Sequence, residues 1–189
     1  MRRLVIEPPA PLAEAERSAT PDERAAARRF SEARRREFLA WRAVVRREIG
    51  ADAVIAYDAA GAPVVTNYPF FISVSHCRGR VAVALSDARC AVDIEPAGRD
   101  FGRVAARCMT PGERALSDDP LWPGIAWCAK EALYKYAGLP GADLRDDLRI
   151  ERADLAAGRL TGRIAGGEPV ELAVRCEEGF IVVFIFRDL

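Results

Sequence analysis

Lysine and histidine are almost missing from this chain. Of 28 basic residues in 189, only Lys130 and Lys135 are lysine, and His76 is the single histidine. Every other positive charge is arginine, so a lysine at a given position calls for a reason. Its ammonium is a compact point charge, which arginine's planar fork does not reproduce. Net charge is missing too: 28 basic residues balance 28 acidic ones, which removes the electrostatic case for a nucleic-acid binder. Long apolar runs are absent. The longest, Phe180 to Phe186, is far short of the ~20 residues a spanning helix needs, so no membrane segment is expected. Behind Arg2 and Arg3 stand only Leu4-Val5-Ile6, too few for the core of a secretory signal. The five cysteines form no Cys-x-x-Cys pair and are odd in number, which speaks against both a zinc site and a disulfide framework. A reducing, cytoplasmic setting is the expectation.

What is present has an order that repeats. Residues 1–19 are rich in Pro and Ala and read as extended. Thr20-Pro21-Asp22-Glu23 has the pattern of a capped helix start, Thr at the cap, Pro at the first helical position and Glu three after the cap. The helix should run, with a possible break, past Trp41 to Gly50. Strand-like segments follow at 54–57, 63–66, 70–75, 80–85 and 91–95. Thr110-Pro111-Gly112-Glu113 then repeats the helix start, Trp127 repeats Trp41, and Gly138 repeats Gly50. Further strand-like segments follow at 148–152, 159–164, 170–176 and 180–186. The reading is an α+β fold of two similar halves, 1–95 and 96–189, related by a pseudo-two-fold, with a ligand cleft between them. One continuous α+β domain with two similar caps is the alternative.

Three segments carry possible chemistry. In a strand at Ala91-Val92-Asp93-Ile94-Glu95, Val92 and Ile94 share one face and Asp93 and Glu95 the other. Two carboxylates that close call for a cation, and hard oxygen ligands suit Mg²⁺. Two solvated acids on a half-exposed strand would look the same. In Trp127-Cys128-Ala129-Lys130-Glu131-Ala132-Leu133-Tyr134-Lys135, residues 127, 131 and 135 form one helical stripe, with Lys130 about 100° away. That stripe could be a surface ion pair, or a partly buried functional face. Ser75 and His76 at a strand end could bind a phosphate, or His76 could be a satisfied structural residue. A Ser–His hydrolase is disfavoured, because adjacent strand residues point to opposite faces.

In order and spacing, Ser75-His76, Asp93-x-Glu95, Glu113 and Trp127-x-x-Lys130-Glu131-x-x-x-Lys135 resemble the 4′-phosphopantetheinyl transferases. The nearer likeness is to the surfactin-synthetase-type branch, with two halves in one chain. The resemblance covers Phe70 to Gly138 well and both ends weakly. It implies transfer of the 4′-phosphopantetheine arm of coenzyme A to a serine of an apo acyl or peptidyl carrier protein, with 3′,5′-ADP leaving. It implies Asp93, Glu95 and Glu131 as Mg²⁺ ligands. Glu131, Lys135 and Glu113 take catalytic places, and Ser75, His76, Lys130 and Lys135 contact coenzyme A. The family's Gly-Lys-Pro turn is Gly61-Ala62-Pro63 here, so one nucleotide contact is lost unless an arginine such as Arg36 replaces it. A monomer is expected. A degenerate protein that docks a carrier without catalysis is the rival reading. A Mg²⁺-dependent phosphohydrolase is a third, which no residue specifically favours.

Overall fold

The computed structural model describes residues 1–187. It opens with β1 (Arg2–Glu7), α1 (Leu12–Ser18), α2 (Pro21–Ala27) and α3 (Glu32–Ile49). Then come β2 (Ile55–Tyr57), β3 (Pro63–Val65), β4 (Phe71–Cys77), β5 (Arg80–Ser86) and β6 (Cys90–Pro96). After them follow α4 (Gly102–Cys108), α5 (Pro111–Arg114), α6 (Trp122–Ala137), β7 (Leu148–Asp154), β8 (Arg159–Ile164), β9 (Pro169–Glu177) and β10 (Phe180–Phe186). This is a mixed α+β architecture, as the sequence pattern implies.

The expectation for residues 1–19 needs correction. They hold a strand and a helix. Arg2–Glu7 pairs antiparallel with β5, which places Val5 against the α3 side and Leu4 and Ile6 on the opposite face. α1 packs on α3 through fully buried Ala15. The predicted long helix does break, and Ser31 caps the second part by accepting from Arg34 N. α4 also went unforeseen: it has no side-chain cap and no acid in its first turn.

Three sheets form, all with antiparallel neighbours: β1-β5-β4, β6-β10-β9-β8-β7, and the small β2-β3 ribbon. By hydrogen bonding, β6 joins β10 and the strands after it, although it falls at the end of residues 1–95. The outer face of the first sheet packs on α3 through Trp41, Val44, Val45, Val81, Val83 and Leu85. α6 covers one face of the larger sheet through Ile125, Ala129 and Leu133 against Ile181, Val183 and Ile185. The two remaining faces meet through Ala82, Ala84, Val92, Ile94, Val182 and Phe184. At Gly124 a Cβ would come within 2.6 Å of Ile181 Cδ1, so glycine is what lets α6 lie this close to β10.

Where the two large sheets adjoin, β6 runs beside β4 in parallel, held by side chains in place of a ladder. Ser73 Oγ accepts from Val92 N at 3.1 Å, and Ser75 Oγ accepts from Ile94 N at 3.3 Å. Cys90 Sγ reaches Phe71 O at 3.7 Å. The constant offset of 19 residues fixes the register of this seam.

The two short capped helices are built alike. Thr20 and Thr110 each form a full capping box with the glutamate three residues on. Each glutamate then clamps basic side chains of the following long helix: Glu23 takes Arg46 and Arg42, and Glu113 takes Lys130.

Candidate active site

Strand alternation puts Ala91, Asp93 and Glu95 on the face of β6 that α6 covers, while Val92 and Ile94 enter the core between the sheets. α6 crosses this face antiparallel to the strand. Trp127 Nε1 donates to Glu95 Oε1 at 3.1 Å, and one helical stripe further on Lys135 Nζ donates to Asp93 Oδ1 at 2.7 Å and to Val92 O at 3.0 Å. Glu131 lies between them on the same stripe. The structure therefore brings Asp93, Glu95, Glu131 and Lys135 together.

Asp93 is 5% exposed. Its Oδ1 accepts from Lys135 and from Ser75 Oγ at 2.8 Å, while its Oδ2 is buried with no hydrogen-bond partner. A buried carboxylate oxygen without a donor is costly. Glu95 is held by Trp127 and by Arg99. For Glu131 no hydrogen bond or ion pair is found among the described residues. Burial, then the charge of Asp93, pushes the Glu131 carboxyl above its ordinary value; Lys135 opposes the shift and Glu95 adds to it. Three oxygen-donor acids, one orphaned oxygen and one acid with raised proton affinity match the donor chemistry of a hard divalent cation. Among the described residues, however, no three acid, His or Cys side chains stand close enough to hold a metal in their present positions.

Ser75 does not point to an open phosphate position: its hydroxyl is spent between Asp93 Oδ1 and Ile94 N. His76 points the other way, as strand alternation requires. Its Nε2 lies 3.2 Å from Arg34 NH1 and its Nδ1 3.5 Å from Glu37 Oε2. Because Arg34 has only donors, Nε2 must accept, and the proton sits on Nδ1 toward Glu37. Burial is the largest influence on this imidazole and holds its pKa below the usual value, with Arg34 helping and Glu37 opposing.

Three expected site residues stand elsewhere. Lys130 is fully buried. Its Nζ sits 2.5 Å from Glu113 Oε1 and also donates to Leu148 O. Glu113 is 3% exposed, and its carboxylate further accepts from Thr110 N at 2.7 Å and Ile150 N at 2.8 Å. Burial pushes this carboxyl up, but Lys130 and the two amides together outweigh it and hold the pKa below the ordinary carboxylate value. Every polar atom of this pair is occupied, so it locks α5, α6 and β7 together. Arg36 is tied to Pro9 O and Ala10 O on the N-terminal segment.

A cavity of about 250 Å³ opens beside Lys135, lined by Ala62 of the β2–β3 turn, Pro63 of β3, Ile72 and Val74 of β4, Tyr134 of α6 and Gly138, which caps α6. It lies between elements of residues 1–95 and the second long helix. Arg34, Trp127 and Arg99 are the contacting residues that sequence reasoning did not assign. Trp127 was legible as part of the stripe. Nothing distinguishes Arg34 or Arg99 from the other arginines.

A search of curated proteins found no match. Residues 89–182, about half of the chain, match the sequence model of the 4′-phosphopantetheinyl transferase superfamily. That segment includes β6 with its two acids and all of α6. The match supports the 4′-phosphopantetheinyl transferase superfamily, in its general sense, for this segment of the chain.

Proposed function

We propose that the chain transfers the 4′-phosphopantetheine arm of coenzyme A to a serine of an apo acyl or peptidyl carrier protein, in a Mg²⁺-dependent reaction. The observation that carries this reading is the convergence of Asp93, Glu95, Glu131 and Lys135 between β6 and α6, with one oxygen of Asp93 buried and unpartnered. Asp93, Glu95 and Glu131 would hold the Mg²⁺. When bound, the ion supplies Lewis-acid polarisation and neutralises pyrophosphate charge. Glu131, with its raised proton affinity, accepts the proton of the incoming serine hydroxyl. The serine oxygen then forms its bond to the phosphorus bearing pantetheine, and the bond from that phosphorus to the 3′,5′-ADP oxygen breaks. Lys135 is the ammonium nearest these acids and balances charge on the leaving oxygens. The cavity beside Lys135 would take part of coenzyme A, with His76 and Arg34 at the far end of β4 offering cationic and donor groups to its phosphates.

In this reading Lys130 and Glu113 support the fold of the second half and touch neither substrate. The protein acts as a cytoplasmic monomer. Among the described residues no helix is long and apolar enough to cross a membrane.

The test is incubation with coenzyme A, Mg²⁺ and a panel of apo carrier proteins, read by intact mass. A gain of one phosphopantetheinyl group on a carrier, dependent on Mg²⁺, is the expected result. Carrier binding with no mass gain across the panel would replace transfer with the docking reading.

A further inference from the structure

Each acid of β6 already carries a cation from this chain. Lys135 Nζ stands 2.7 Å from Asp93 Oδ1 and is anchored by a second acceptor, Val92 O at 3.0 Å. Arg99 is ion-paired to Glu95 from four residues along. The Asp93–Lys135 contact is mostly sheltered, with side-chain exposures of 8% and 28%. A metal ligand paired to an internal ammonium at this distance offers less charge to a second cation. Asp93 Oδ2 meanwhile stays buried and unpartnered, a place a cation would fill.

We infer that Lys135, assisted by Arg99, acts as an internal counter-ion that competes with a divalent cation for the acids of β6, and leaves Asp93 when an anionic ligand arrives to receive it. The inference rests on the transferase reading for the identity of that anion. It makes loading conditional: cation alone binds poorly, while cation and polyphosphate together bind well, because the displaced ammonium then has an oxygen to meet. Coulomb attraction at contact distance in a partly buried site is large enough for such competition to be measured.

The experiment is direct titration with Mn²⁺, followed by its electron paramagnetic resonance signal, first with the protein alone and then with coenzyme A. Lys135→Gln should bind Mn²⁺ about tenfold more tightly than the parent protein in the absence of coenzyme A, the order expected for removing one nearby positive charge from a partly buried site. Lys135→Arg, which keeps the charge, should not show this gain. With coenzyme A present the order should reverse, the parent protein binding Mn²⁺ more tightly than Lys135→Gln. Arg99 is an exposed residue whose loss should not disturb folding, so Arg99→Gln is a second arm, expected to tighten Mn²⁺ alone by about twofold. Equal or weaker Mn²⁺ binding by both Lys135→Gln and Arg99→Gln overturns the inference, as does failure of every variant to bind Mn²⁺ alone. Neither outcome touches the transferase reading, which stands or falls on the mass gain of the carrier.

Discussion

Two lysines five residues apart on one helix should respond to the same substitution in opposite ways. Lys130→Met removes an ammonium that is fully buried and 2.5 Å from the Glu113 carboxylate. Stripping one partner from a buried ion pair costs about 3–5 kcal/mol. Here two backbone amides still donate to Glu113, so the lower end applies, about 3 kcal/mol. That is a large share of a total stability on the order of 5–15 kcal/mol. At this chain length 1 kcal/mol corresponds to roughly 2–4 °C, giving a fall in Tm of about 6–12 °C. Lys135→Met removes an ammonium whose side chain is 28% exposed, and Asp93 keeps its bond from Ser75. After discounting for solvent, its cost is about 1 kcal/mol or less. Thermal melts by circular dichroism give the first comparison. Carrier modification per folded molecule, measured well below both midpoints, gives the second. Lys130→Met should melt early yet transfer, and Lys135→Met should melt near the parent yet fail to transfer. A Lys130→Met protein with parental Tm and no affinity for coenzyme A would refute the reasoning, since Lys130 would then have to leave Glu113 to meet the ligand.

Other expectations follow from the same contacts. Asp93→Ala should abolish carrier modification while leaving the far-ultraviolet spectrum and Tm close to the parent's, because it also relieves repulsion among the acids. Glu131→Gln should likewise lose transfer, and it should raise Tm at pH 7. The raised folded pKa of Glu131 means that its contribution to stability is full below 4.5 and is lost as pH rises through the folded value, and the amide removes that loss. Glu23 has the opposite sign. Burial pushes it up, but Arg46, the Thr20 amide and Arg42 together hold it below 4.5, so its stabilisation is present above 4.5 and lost as pH falls through the lower folded value. Urea titrations of Glu23→Gln should therefore show a shallower loss of stability on acidification than those of the parent. Ala62→Lys should tighten coenzyme A by about 1 kcal/mol in calorimetry, since Ala62 and Lys135 line one cavity. No change would put the ligand outside that cavity.

Much of this arrangement is legible in the sequence. The capping boxes at Thr20 and Thr110, the strand alternation around Asp93 and the stripe Trp127-Glu131-Lys135 are local patterns, and each is realised. The burial of Lys130 was also readable: Ala126, Ala129 and Leu133 surround it at helical spacing, and all are fully buried. The family motif drew attention to its chemistry and away from that apolar face. β1 and α1 were missed because their formation depends on partners far along the chain, β5 for one and α3 for the other. The pairing of His76 with Arg34 spans 42 residues and leaves no trace in spacing.

The antiparallel crossing of α6 over β6 has a consequence for which changes of length the chain can absorb. From Trp127 to Lys135 the helix advances about 12 Å, whereas Asp93 and Glu95 are only about 6.6 Å apart along the strand. The mismatch is closed by reach: a long indole and a long ammonium lean inward from the two ends, and the shorter Glu131 sits between. One residue inserted between 92 and 95 would turn an acid to the opposite face of the strand. One residue inserted between 127 and 135 would rotate half the stripe by about 100°. The exposed stretch 118–120 is under no such constraint of phase, because it carries neither the acids nor the buried Glu113–Lys130 pair. Insertions should accordingly be tolerated in that stretch and be lethal to activity inside the two short motifs, a pattern that an insertion scan would display directly.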